Sequence, residues 1–302
     1  MNARKTKIKY RTRAELKISS LAFSEKFTLL RKVIANTLNI VRLVRNIGLT
    51  ALLIAITLLN SSSTFVPRDF KVDVVVIDAG HGGKDPGTKG SFTKEKDVVL
   101  AISLKVGSYI EKNLPDVKVI YTRKDDRYLP LDERANIANK HKADLFICIH
   151  ANANPNARAF GTETYVMGHH KDEGNLSVAK RENSVILYDE NYQERYEGFD
   201  NSPESYILFT LTQSAYQESS LKFAQNVETQ FKSRAGRVSR GVKQAGFVVL
   251  WRTTMPGVLV ETGFLSNSPE EKFLSSEEGQ DLIASGIYRA FKEYKNEVES
   301  IN

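Results

Sequence analysis

The stretch VVVIDAGHGGKDPG, residues 74–87, decides the fold. Its first half is β-branched and uninterrupted, the composition of a strand buried on both faces, which is typical of parallel sheets. Asp78 ends the run, and His81 then stands among Gly80, Gly82 and Gly83. Glycines at that spacing let the backbone turn sharply and let another group come close. An imidazole is therefore presented at the carboxyl end of a strand, the edge where open α/β sheets bind ligands.

Working outward, strand-like and helix-like segments alternate. Residues 72–78 read as a strand. In residues 95–114, Val98, Leu100, Ile102, Leu104, Val106 and Ile110 recur at helical spacing. Residues 117–123 read as a strand, 131–142 as a helix, and 143–152 (ADLFICIHAN) as a second buried strand. Residues 161–168, 247–250 and 257–263 complete the strand set. The spacing predicts helices over 203–234, with Pro203 just inside the start, and over 275–297, where Ser276 caps the N-terminus. This alternation defines an α/β layer architecture. Residues 169–202 are long, polar and irregular, and insertions of that size are usually functional or disordered.

Charge separates the chain into two parts. Residues 1–46 hold 12 Lys/Arg against 2 Asp/Glu, a net +10, while the other 256 residues hold 31 against 34, a net −3. The folded part thus lacks the basic footprint of a nucleic-acid binder, and no nucleic-acid partner is expected. Residues 47–59, IGLTALLIAITLL, follow Arg42 and Arg45 and precede NSSSTF. That order matches an export signal, although the run is shorter than the roughly 20 residues of a bilayer span. Three readings stand: a cleaved signal, an uncleaved anchor, or a buried helix. The expected organisation is a basic segment (1–46), a signal or anchor (47–63), a linker (64–72) and a catalytic domain (73–298) carrying the insertion. Membrane contact is expected only through the apolar segment. Cys148 is the one cysteine, so no internal disulfide forms.

His81, His150 and Glu261 each end a predicted strand. Two imidazoles and a carboxylate suit a zinc ion with its fourth position left to water, and zinc brings the pKa of such a water toward about 7. A second carboxylate, off the metal, must then handle the proton, and Glu261 has the position for it. Taken singly, each residue also has a plainer reading: a loop histidine in a hydrogen bond, Glu95 as a helix N-terminal charge, Glu261 as a solvated loop acid. A phosphate cradle fits poorly, because Lys84 is followed by Asp85 rather than by Ser or Thr.

VVVIDAGHGGKDPG, KEKDVVLAI (94–102), FICIHANA (146–153) and VLVETGFLSN (258–267) together resemble the zinc-dependent N-acetylmuramoyl-L-alanine amidases that act in daughter-cell separation. The resemblance runs over about residues 73–293, with four motifs in family order. It implies zinc held by His81, Glu95 and His150, with Glu261 as the catalytic carboxylate. It also implies a mixed, mostly parallel sheet flanked by helices in a single catalytic domain, an exported protein of the periplasm or cell envelope, and peptidoglycan as substrate. The reaction implied is hydrolysis of the amide between N-acetylmuramic acid and L-alanine. A silent wall-binding module and a zinc peptidase acting on stem peptides are the alternatives. Cys148 departs from the serine common in the family; it reads either as a fourth ligand or as a small buried side chain. His141, His169 and His170 match no family ligand.

Division amidases of this kind often carry an inserted segment that covers the zinc until a protein activator moves it. Residues 177–200 occupy the matching place and offer Glu182, Glu190, Glu194 and Glu197 as autoinhibitory candidates. A substrate-binding wall and a disordered loop are the other readings of this insertion.

Overall fold

The computed structural model describes residues 31–32, 35–50, 52, 71–169, 173–198, 211 and 213–300. The chain divides into two compact units, residues 1–66 and 67–302. In the first unit, residues 35–50 are helical, and Leu38, Ile40, Val41, Leu43, Val44, Ile47 and Leu49 are exposed. Among the described residues no helix is long and apolar enough to cross a membrane. Most of the expected 47–63 signal or anchor, and nearly all of the 64–72 linker, lie outside the described residues.

The second unit is built on one six-stranded sheet of order β2-β1-β3-β6-β4-β5. Its strands are β1 (Val74–Ala79), β2 (Lys118–Tyr121), β3 (Leu145–Asn152), β4 (Thr162–Met167), β5 (Ser239–Ala245) and β6 (Gly257–Phe264). Pairing is parallel except between β4 and β6, so the sheet is mixed and mostly parallel. The principal helices are α1 (Glu95–Asn113), α2 (Leu131–Lys140), α3 (Glu173–Asn183), α4 (Tyr192–Arg195), α5 (Gln217–Arg234), α6 (Val248–Trp251), α7 (Ser268–Ser275) and α8 (Glu277–Glu299).

Alternation of side chains along each strand fixes what faces what. Val75, Ile77, Leu145, Ile147, Ile149, Val258 and Val260 pack with Val98, Ile102 and Val106 of α1, Phe223 and Val227 of α5, and Ile283, Ile287 and Phe291 of α8. The opposite face sends Val76, Phe146, Cys148 and Leu259 toward Leu131 and Ala138 of α2, Val178 and Ala179 of α3, and Val248 to Leu250 of α6. His150 follows Cys148 on that second face, and Glu261 follows Leu259. The register sets His150 directly opposite Glu261. Two adjacent parallel strands thus deliver an imidazole and a carboxyl side by side at their carboxyl ends.

Some elements differ from the sequence reading. Residues 248–251 form a helical turn, not a strand; a four-residue apolar run is buried equally well either way. Strand β5 was not expected, because SRGVKQA is a polar edge strand with no apolar alternation. Helix α7 was also missed, although its start is written in the sequence: Asn267 Oδ1 accepts from the Glu270 N–H, and Pro269 occupies the first turn. Ser276 caps α8 as expected, its hydroxyl accepting from the Gly279 N–H.

Candidate metal centre

His81 leaves β1 in the left-handed region, with φ 60°. Two buried arginines hold this turn. Arg123 donates to the carbonyls of Ala79 (3.0 Å) and Gly80 (2.7 Å). Arg134 donates to those of Ala79 (2.7 Å) and His81 (2.8 Å). Glycine is required where the loop meets His81, Glu95 and His150. A β-carbon on Gly80 would stand 2.5 Å from the His150 ring, and one on Gly87 (φ 64°) would stand 2.6 Å from His81 Cδ2 and 2.7 Å from Glu95 Oε2. Asp85 accepts from His81 Nδ1 at 2.7 Å, so that nitrogen carries the proton and Nε2 is turned inward.

Glu95 opens α1 and points into the protein, with 1% exposure. It accepts from the backbone N–H of Thr88 (2.8 Å) and of Ala151 (2.9 Å). Its Oε1 lies 3.1 Å from His81 Nε2 and 3.0 Å from His150 Nδ1. Glu182, near the end of α3, completes the group, with Oε2 at 3.3 Å from His81 Nε2 and 3.0 Å from His150 Nδ1. One ligand atom from each of His81, Glu95, His150 and Glu182 lies within 4.8 Å of the others, and all four residues are buried.

The group fits a metal ion. His81 Nε2 and Glu182 Oε2 are buried with no hydrogen-bond partner, even though they lie 3.3 Å from each other. Atoms this close but wrongly aligned for a hydrogen bond converge on a shared point rather than on one another. Buried polar atoms left in that state are costly unless something occupies the point. Nitrogen and carboxylate oxygen are the donor types zinc takes. Burial pushes both histidines toward the neutral form, but Glu95 and Asp85 around His81, and Cys148 and Glu182 around His150, raise them well above the ordinary imidazole range. The pocket therefore favours positive charge.

Glu261 stands beside this group but outside it. It is fully buried, and its Oε2 has no hydrogen-bond partner. Burial, reinforced by the Glu182 charge and opposed by Arg181, raises its carboxyl well above the usual range. Arg181 Nη2 reaches Glu261 Oε1 at 3.5 Å, Glu182 Oε1 at 2.8 Å and Asn152 Oδ1 at 3.0 Å, bridging the two carboxylates.

Of the four insertion glutamates, Glu182 alone joins the group; Glu190, Glu194 and Glu197 are exposed. The signal was present in Val178, Ala179 and Glu182, whose spacing puts Glu182 on the apolar face of its helix. Cys148 is fully buried and is not among the grouped ligands. His141 and His169 are exposed, and His170 lies outside the described residues. Asp85, Arg134 and Arg181 escaped the sequence reading, because nothing in a polar stretch distinguishes an inward-facing charge from a solvated one.

An α/β sheet with two imidazoles and two carboxylates gathered at its carboxyl edge, and a separate buried carboxyl beside them, is the arrangement of a candidate metal-dependent hydrolase. The chain belongs to the N-acetylmuramoyl-L-alanine amidase family, whose sequence profile matches residues 75–293. It is 34% identical over 229 residues to N-acetylmuramoyl-L-alanine amidase AmiC of Escherichia coli O6:H1, a match covering 73% of this chain and 52% of AmiC. The chain thus spans about half the length of that relative. It is 36% identical over 217 residues to AmiA of Escherichia coli K12, covering 71% of this chain and 73% of AmiA. Among solved structures, the N-acetylmuramoyl-L-alanine amidase of Clostridium difficile 630 superposes with a TM-score of 0.56 at 29% identity, covering 75% of this chain and 98% of that one.

Proposed function

We propose that this protein hydrolyses the amide joining the lactyl group of N-acetylmuramic acid to L-alanine in peptidoglycan. In this reading zinc is held by His81, Glu95 and His150. The observation that carries it is the convergence of those three residues and Glu182 within 4.8 Å, with Glu261 alongside. Zinc in that position supplies a Lewis acid that polarises the amide carbonyl and acidifies water.

The chain's own residues account for the rest. Asp85 and the arginine-held glycine turn orient His81. Glu95 is fixed by two backbone N–H groups. Glu261 accepts the proton of the attacking water and passes it to the departing L-alanine nitrogen, so one C–N bond breaks as one C–O bond forms. A carboxyl kept above its usual range by burial is suited to carry a proton at neutral pH. Replacing Glu261 by Gln should retain zinc and lower turnover by roughly 10²–10⁴-fold. Dye release from labelled peptidoglycan measures this, and near-normal turnover removes Glu261 from the role. Product analysis defines the bond: a new N-terminal L-alanine supports the amidase, and a cut within the stem peptide overturns it.

The structure described is, in this reading, the resting state. Glu182 takes a ligand position at the metal while Arg181 engages Glu261, so both halves of the machinery are covered by α3. A protein activator that binds the displaced form of the insertion shifts the population toward activity. Deleting residues 177–200 should raise activator-independent digestion of sacculi; unchanged or abolished digestion argues against the gate. We place this activity outside the cytoplasm, in cell-wall remodelling and daughter-cell separation, with residues 47–63 as the export segment.

A further inference from the structure

Arg181, near the end of α3, directs its guanidinium at oxygens of the sheet edge. Nη1 donates to the Ala153 carbonyl at 3.1 Å, and Nη2 reaches Asn152 Oδ1 at 3.0 Å and Glu261 Oε1 at 3.5 Å. These three acceptors come from the end of β3 and from its neighbour β6. Asn152 and Glu261 are buried, and Glu261 Oε2 already lacks a hydrogen-bond partner. With α3 displaced, as in the active form proposed above, the three oxygens face the space that the guanidinium leaves.

Asn152 is held so that its oxygen, not its nitrogen, faces that space. Nδ2 donates to Glu163 Oε2 at 3.2 Å, while Oδ1 also accepts from the Ala153 N–H at 2.8 Å. Glu163 is buried and fixed in turn. Its Oε2 accepts from Tyr165 Oη at 2.7 Å, and its Oε1 accepts from Lys243 Nζ at 2.8 Å and from Arg240 Nε. The register sets Glu163 opposite Glu261 across β4 and β6. An ionised carboxylate only accepts, so it holds the asparagine amide by its nitrogen alone. The sheet thereby presents Asn152 as an acceptor beside Glu261.

Amide hydrolysis changes what the leaving nitrogen donates. In the amide it carries one N–H. Water adds its oxygen to the carbonyl carbon, the C–N bond breaks, and both water protons end on the nitrogen, so a carboxylate and an ammonium are formed. The ammonium has three N–H groups, and three acceptors match them. Acceptors fixed in advance where positive charge develops favour its formation. We propose that Asn152 Oδ1, the Ala153 carbonyl and Glu261 Oε1 form the pocket for the departing L-alanine nitrogen, and that Arg181 fills this pocket in the resting state as a cationic stand-in. The inference rests on the amidase and gate readings above and adds the groups that receive the amine.

The test uses the full chain carrying Arg181→Ala, which vacates the pocket, and two synthetic stem peptides. One begins with a free L-alanine; the other has a propionyl group in its place and lacks that nitrogen. Binding is measured by calorimetry at about pH 6.5, where an α-amine is protonated. Arg181→Ala should bind the free amine about 10-fold or more tightly than the propionyl peptide, and wild type should bind both weakly. Adding Asn152→Leu should erase most of that preference. Thermal unfolding checks each variant, with Arg181→Ser and Asn152→Ala as replacements for any that does not fold. Equal affinity for the two peptides in Arg181→Ala, or binding of neither, overturns the proposal. So does a preference that survives the loss of Asn152, or one equally strong in wild type. An enzyme that releases N-terminal L-alanine yet shows no amine preference loses this pocket alone, whereas a cut within the stem peptide removes the amidase reading itself.

Discussion

At the scale of single residues, the pair Asp78–Arg134 does more than its burial suggests. The guanidinium neutralises a fully buried carboxylate and, through the carbonyls of Ala79 and His81, holds the strained turn that presents an imidazole. Arg134→Met should therefore destabilise the fold by about 3–5 kcal/mol, read from urea unfolding, because it strands a charge in the interior; a loss below 1 kcal/mol would contradict this. The pair also has a pH signature. Burial pushes the Asp78 carboxyl up, but Arg134, with the Cys148 and Thr122 hydrogen bonds, outweighs it, and the net shift is downward. A carboxyl lowered on folding adds stability that is fully present above its unfolded value, about 3.9, and is lost as pH falls from there through the folded value. Acid titration of stability should be shallower in that window for Asp78→Asn than for wild type, and equal slopes would show that Asp78 does not titrate there. His81, His150 and Glu261 were legible in the sequence because apolar strands end on them. Glu95 was ambiguous, since a carboxylate in a first helical turn is commonplace. The residues that orient these groups were not legible, because their direction is set by distant parts of the chain.

At the scale of elements, the covering segment is fastened at identifiable points. Asp189 accepts from the phenols of Tyr128 and Tyr196, each at 2.7 Å. Asn183 donates to the Gly246 carbonyl at 2.8 Å and accepts from the Val248 N–H at 2.9 Å. Lys84 reaches the Tyr188 carbonyl at 2.6 Å. Asp189→Ala removes an acceptor from two phenols and should loosen α3 and the turns after it. Limited proteolysis within residues 173–198 should speed up, and activator-independent hydrolysis should rise several-fold. If proteolysis quickens without any gain in hydrolysis, the segment does not gate the site. Strands β1, β3 and β6 were readable because continuous β-branched runs have few other uses. Strand β5 and α6 were not: one hides its pairing in polar residues, and the other is too short for periodicity to decide. Helix α5 begins at Gln217, and residues 203–210 of the longer helix expected there lie outside the described residues.

At the scale of the whole molecule, the four grouped side chains come from β1's exit turn, α1, β3 and α3, so an ion bound among them would tie together segments spread over a hundred residues of chain. Zinc at 100 times its Kd would stabilise the folded form by about 2.7 kcal/mol. Chelation should lower the Tm by roughly 5–10 °C, given about 2–4 °C per kcal/mol at this size. Zn²⁺ should restore it, and a Tm indifferent to chelator would rule out a tightly held ion. The α/β architecture and its mixed sheet were foreseeable from alternation and family resemblance, but the order of the strands was not, since no local pattern says where a strand inserts. That order matters while the protein is being made. The last strand in the chain lies in the interior of the sheet, between β3 and β4. Until the ribosome has released residue 264, both of those neighbours present bare, apolar edges of the kind that recruit other chains. Nascent chains stalled or truncated before that point should be sticky and chaperone-dependent, whereas those extending past it can close the sheet in a single step.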